Sequence, residues 1–183
     1  MMTARAMHHL GHVSLSVDLH SLYLATGSES HSCLHAIVHV ELEPYLMTVA
    51  IERGSQAADD IIPELRQWAS SLNACLAVRH SLSILETLTA SDQSSPFYPF
   101  CVFAAVLTLW AYITHLPTRD LSATQLDALD KINHLLGPAI GGTGSTGRRI
   151  LRKGADLLAQ VKAWRIGSAF ALVLVKEAER MGR

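Results

Sequence analysis

A chain of 183 residues with formal net charge −1 and a pI near 6.8 fits one domain and offers no basic field to hold phosphate, which excludes nucleic-acid binding by charge alone. Charged residues make up 17% of it, below the roughly 25% typical of soluble domains, while 49% are apolar, so this is not a disordered sequence. Much must be buried and little charge is left to cover the outside, which implies a lipid contact or a protein interface.

Nearly every segment carries a helical signature. Ala6, Leu10, Val13, Val17 and Leu24 recur at helical spacing, and Gly27 closes the run. The N-terminus has no unbroken apolar stretch and no cleavage site of small residues, so no secretory signal is expected. Residues 31–53 are ambiguous. Leu34, Ala36, Val38, Val40 and Leu42 alternate as in a strand, while Leu34, Ile37, Val38 and Tyr45 permit a helix broken near Pro44. A strand there has no evident partner, so helix or irregular structure is favoured.

From Asp60 to Thr89 the pattern predicts a helix with Pro63 in its first turn and Asp59 or Asp60 as its cap. Leu65, Trp68, Leu72, Cys75, Leu76, Leu82 and Leu85 form its apolar stripe, and the serine-rich SDQSSP ends it. Pro96 to Leu116 then runs uncharged for about the 20 residues that a membrane span requires. The block carries Tyr98, Thr108, Tyr112, Thr114 and His115, and the buried central helix of an all-helical domain reads the same way.

After Pro117, Ser122 and Gln125 predict a capping box, with Leu121 and Leu126 as its staple. Leu126, Leu129, Ile132 and Leu136 continue that helix, and Gly137-Pro138 ends it. Residues 137–147, including GGTGSTG, read as a flexible glycine-rich linker. Two further helices carry Ile150, Gly154, Leu158 and Val161, then Ile166, Phe170, Val173 and Leu174.

Few constellations suggest chemistry. Gly142, Gly144 and Gly147 satisfy GxGxxG, but the loop is entered from a helix and Gly-Pro, and no acidic residue follows about 20 positions later, so no nucleotide is expected. Cys33, Cys75 and Cys101 are far apart in apolar settings and read as reduced, packed thiols. Arg148, Arg149, Arg152 and Lys153 read as a solvated helix start. Among ten histidines, His31, His35 and His39 share one face and are the candidate metal ligands, with His8 and His12 repeating the spacing. No HExxH or GxSxG accompanies them, so no catalytic residue, no cofactor and no enzyme activity are expected.

The order of three blocks, LRQWASSLNACLAVRHSLSIL, PFYPFCVFAAVLTLWAY and GRRILRKGADLLAQVKAWRIGSAFALVLVKEAER, resembles the C-terminal half of the fungal-specific transcription factor domain. The variant attached to two-cysteine-two-histidine zinc fingers is the most similar. Arg66-Gln67-Trp68-Ala69 leading to Ala77-Val78-Arg79-His80, the core Leu107 to Tyr112, and a glycine-rich loop into Arg149-Ile150-Leu151 with Trp164 and Phe170 beyond carry the likeness. LSVDLHSLYLATG matches the family's preceding helix. Coverage is residues 8–27 and 57–180. Residues 28–56 have no counterpart and read as an insertion or a gene-model artefact.

The resemblance implies an all-α array of five to seven helices, a single partial domain over 1–183 forming half of a larger regulatory domain. It implies a nuclear protein acting in RNA polymerase II transcription through protein partners or self-association. DNA contact and zinc would belong to a finger N-terminal to this chain. Trp68, Phe100, Trp110, Tyr112, Trp164 and Phe170 are then core or interface residues, the three tryptophans largely buried. The uncharged block becomes a buried helix, in keeping with its lack of basic flanks, and no membrane contact is expected. A half-domain also implies an open apolar surface on the early helices. The alternatives are a single-pass membrane protein spanning about 97–116 and a metal-binding helical protein.

Overall fold

A computed structural model of the chain describes residues 4–25, 57–89, 95–137, 146–161 and 164–182. Among them lie eight helices and no strand: α1 Ala4–Ser16, α2 Leu19–Ala25, α3 Ala57–Ala69, α4 Leu72–Thr89, α5 Tyr98–His115, α6 Ala123–Leu136, α7 Thr146–Ala159 and α8 Arg165–Arg180. The array is all-α. Its helix count exceeds five to seven because two runs that read as single helices are broken.

Short polar side chains make both breaks. At the first, Ser21 Oγ donates to Asp18 Oδ2 at 2.6 Å, and the Leu22 amide begins α2 by donating to the Asp18 carbonyl. At the second, Ser70 Oγ donates back to the Arg66 carbonyl, while Ser71 Oγ accepts the Ala74 amide at 3.2 Å and so starts α4. Serine and aspartate compete with the helical ladder in this way wherever a turn is sterically free. The Ser70–Ser71 break rotates α4 relative to α3, which takes Leu72 (69% exposed) and Leu76 (40% exposed) out of the expected stripe. The helix before that break also starts earlier than its sequence suggests. Pro63 lies inside α3, six positions beyond Ala57 rather than in the first turn. An interior proline costs about 3 kcal/mol. Burial of Ile61, Leu65 and Ala69 opposes that penalty.

α5 is the axle. Every residue from Tyr98 to Tyr112 except Phe100 is buried, and α1, α2, α3, α4, α7 and α8 all pack on it. Full burial of a Val, Leu or Phe side chain contributes roughly 1.5–3 kcal/mol, so this helix dominates the core. Its polar groups find partners both within the helix and across the core. Thr108 Oγ1 donates to its own helix's Ala104 carbonyl at 2.8 Å rather than across the core, and Trp110 Nε1 donates to Met181 Sδ at 3.2 Å.

α6 stands outside this ring, against α4 and α7. Its capping box forms as the sequence predicts: Gln125 N donates to Ser122 Oγ and Ser122 N to Gln125 Oε1. Gly137, with φ of 69°, ends the helix. The stripe differs from expectation, since Gln125, Ala128 and Ile132 are buried and Leu126 is 49% exposed. Across the gap, Arg149 Nη2 donates to the Gly137 carbonyl at 2.6 Å and Lys153 Nζ to the Leu135 carbonyl at 2.7 Å. These cations meet the negative end of the α6 dipole, so half of the basic run caps a neighbouring helix instead of facing solvent. Thr146 and Gly147 belong to α7 rather than to a linker, and Gly147 is buried; residues 138–145 lie outside the described residues.

Candidate functional site

On α1, Arg5, His8, His9 and His12 occur at spacings of three and four, which gathers them toward one side of the helix. α4 packs alongside and brings Arg79 and His80 to the same place. His9 Nδ1 and His80 Nδ1 are 2.9 Å apart, a hydrogen-bond distance at which one ring donates and the other accepts. The His12 ring lies flat on His80, with centroids 4.4 Å apart and planes at 7°. His8 meets His12 edge-on at 4.5 Å. Four imidazoles thus form one continuous cluster on the α1–α4 seam.

Its electrostatics oppose protonation. His9 is held below the ordinary histidine range by burial first, then by His8, Arg5, His12 and Arg79. His80 is lowered by burial first, then by His12, His9, Arg79 and His8. His9 Nε2 is buried without a hydrogen-bond partner, a further penalty on placing charge there.

The cluster is not arranged as a metal centre. Imidazole lone pairs lie in the ring plane, and the stacked rings of His12 and His80 direct theirs along parallel planes that share no common point. Among the described residues, no three histidine, cysteine or acidic side chains are placed to hold one ion. His31, His35 and His39 lie outside the described residues. So does most of the GGTGSTG segment; its last glycine packs in the first turn of α7, where an added Cβ would lie 3.1 Å from Met181 Cε and 3.3 Å from Thr114 Oγ1.

The candidate core residues separate. Trp110, Tyr112 and Phe170 are buried, Phe170 stacking on Phe103 at 4.1 Å. Trp68 and Trp164 are only half-buried, because each lies at an end of its helix. Trp68 Nε1 donates to the Ser16 carbonyl at 2.8 Å and so ties the end of α1 to α3. Phe100 stands 41% exposed and is not a core residue. Exposed apolar side chains run from Leu15 on α1 to Leu172 on α8, so they are not confined to the early helices. Between α4 and α6, Leu72, Leu76, Leu82 and Ala128 line a shallow apolar groove with Arg79 and Lys131 at its rim.

His8 and His12 are visible as a pair in the sequence. The meeting of His9 with His80 is not, because no local signal records a contact across 71 positions. No family model matches the sequence, and neither a curated protein nor a solved structure is significantly similar to it.

Proposed function

We propose that this chain is the regulatory, protein-contacting region of a fungal zinc-finger-type transcription factor, acting in the nucleus in RNA polymerase II transcription. It carries no catalytic chemistry and no resident cofactor in this reading. DNA is reached only through a finger outside this chain, and partner proteins or a second copy are bound here. One observation carries the reading. The three blocks on which the resemblance rests fall on α3–α4, α5 and α7–α8, and those helices pack on one another around α5. All three blocks therefore lie in one core, as the resemblance to part of a single helical domain requires. The apolar α4–α6 groove, about 180 Å³ with charged residues beside it, has room for an apolar side chain of a partner protein.

The test is tethering. The whole chain, fused to a heterologous DNA-binding domain, is expected to change a reporter several-fold in a filamentous fungus, and the untethered chain to accumulate in the nucleus. An inert fusion that demonstrably occupies its site, together with exclusion of the free chain from the nucleus, would sink the proposal. A second reading has one observation in its favour: α5 is, among the described residues, the helix long and apolar enough to cross a bilayer, with mean hydropathy 1.4. Membrane partition of the expressed chain would decide for it.

A further inference from the structure

We infer that the α1–α4 seam is a proton-operated latch. It is closed while His9 and His80 share their N–H···N bond, and it releases the N-terminal half of α1 when both of these rings are protonated and the bond is lost. The inference is independent of any role in transcription.

The geometry requires neutrality. An N–H···N bond at 2.9 Å needs one neutral ring as acceptor, so His9 and His80 cannot both be charged and keep it. A doubly protonated His12–His80 stack would hold two cations 4.4 Å apart. Arg5 and Arg79 already act on the cluster, and neither His9 nor His80 has a carboxylate among the groups acting on it.

Among the described side chains, no carboxylate of the surrounding helices acts on His9 or His80. α5, the other helix beneath α1, has no Asp, Glu, Lys or Arg, and its terminal His115 is lowered by burial and by Arg66 of α3. α3 also carries Glu64, an exposed side chain that is not among the groups acting on either ring. On the far side of α4, Asp127 and Lys131 of α6 pair with each other at 2.6 Å, and Asp130 and His134 of α6 are exposed. Glu86 lies nearly two turns along α4 from His80, and it is not among the groups acting on either ring.

Release is directional. The C-terminal end of α1 is tied down by Trp68 Nε1 on the Ser16 carbonyl, at the far side of the cluster from Arg5. Opening therefore begins at the N-terminal end, and it uncovers the buried face of Ala6, Leu10 and Val13.

Hydrogen exchange of the whole chain at pH 7.5 and 5.5, corrected for intrinsic rates, tests this. Amides of residues 8–13 are expected to exchange several-fold faster at the lower pH, with α5 amides unchanged. The pH response is expected to vanish in H9N/H80N, whose amides can still pair across the seam. In H12N, which removes the stack and the His8–His12 edge contact but leaves the His9–His80 bond, it is expected to be reduced, and this variant decides should the double variant not fold. Equal α1 exchange at both pH values would overturn the latch. So would acceleration of α5 to the same degree, or an undiminished response in the variants.

Discussion

Gly154 of α7 faces Val106 of α5 so closely that a Cβ on the glycine would lie 2.6 Å from Val106 Cγ2 and 3.0 Å from Leu174 Cδ1. The backbone of α7 thereby rests on the axle, and α8 closes over both. A single methyl is expected to force these helices apart. Overpacking costs roughly 1–3 kcal/mol, of which the helix preference of alanine over glycine returns up to about 1. Gly154→Ala is therefore expected to lower the urea midpoint, and Val106→Ala in the same chain to restore part of the loss. Strict additivity of the two changes would show that the contact is not jammed.

The three tryptophans are not equivalent. Trp110 is 2% exposed and lies at the centre of α5, so truncation to alanine is expected to cost about 3–5 kcal/mol. Trp68→Phe keeps most of the ring and loses the hydrogen bond to Ser16, for a cost of about 0.5–1.5 kcal/mol. Denaturation midpoints of the two variants measure the difference. A larger loss at Trp68 would move the centre of the core away from α5.

α6 hangs on its cap. Ser122→Ala removes the acceptor for the Gln125 amide and is expected to cost about 1 kcal/mol, with Ser122→Asp close to the parent. Circular dichroism during urea unfolding reads both. Equal stability of all three chains would mean that packing on α4 and α7 alone holds α6.

Glu177 supplies a pH dependence opposite in sign to that of the histidine seam. Its side chain is 3% exposed, and burial raises its pKa above the ordinary carboxylate range against the opposing pull of Arg180. A carboxyl with a raised folded pKa contributes stability that is present below its unfolded pKa and lost as pH rises through the folded one. Glu177→Gln is expected to be more stable relative to the parent at pH 8 than at pH 4. A constant difference across that range would contradict the burial effect.

Much of this architecture is legible in the sequence where the signal is local. The uncharged block gives α5, and Ser122 with Gln125 gives the start of α6, since a capping box is complete within four residues. The legibility fails where the deciding partner is distant or the competition is close. Leu72 and Leu126 fit their stripes by spacing, yet the Ser70–Ser71 turn and the docking of α6 by its Gln125–Ala128–Ile132 face leave both exposed. Pro63 places the helix start at Asp60 on propensity, but α3 begins three residues further upstream, at Ala57. The basic run after the glycine-rich segment shows nothing of the α6 carbonyls that receive Arg149 and Lys153. The histidine cluster is half legible for the same reason: His8 and His12 recur at readable spacing, and the fold adds His9 and His80.

The claim on which the account turns is that α5 is an axle sheathed by other helices. Cys75 on α4 and Cys101 on α5 report on it, since both thiols are buried and burial holds Cys101 at a pKa of about 11, far from the reactive thiolate. In a Cys33→Ser chain kept in detergent-free buffer, pulses of a thiol reagent across a urea gradient are expected to leave both cysteines unlabelled until one cooperative transition exposes them together. Labelling of Cys101 in native buffer, or a chain that stays in solution only with detergent, would contradict the axle and return α5 to the lipid.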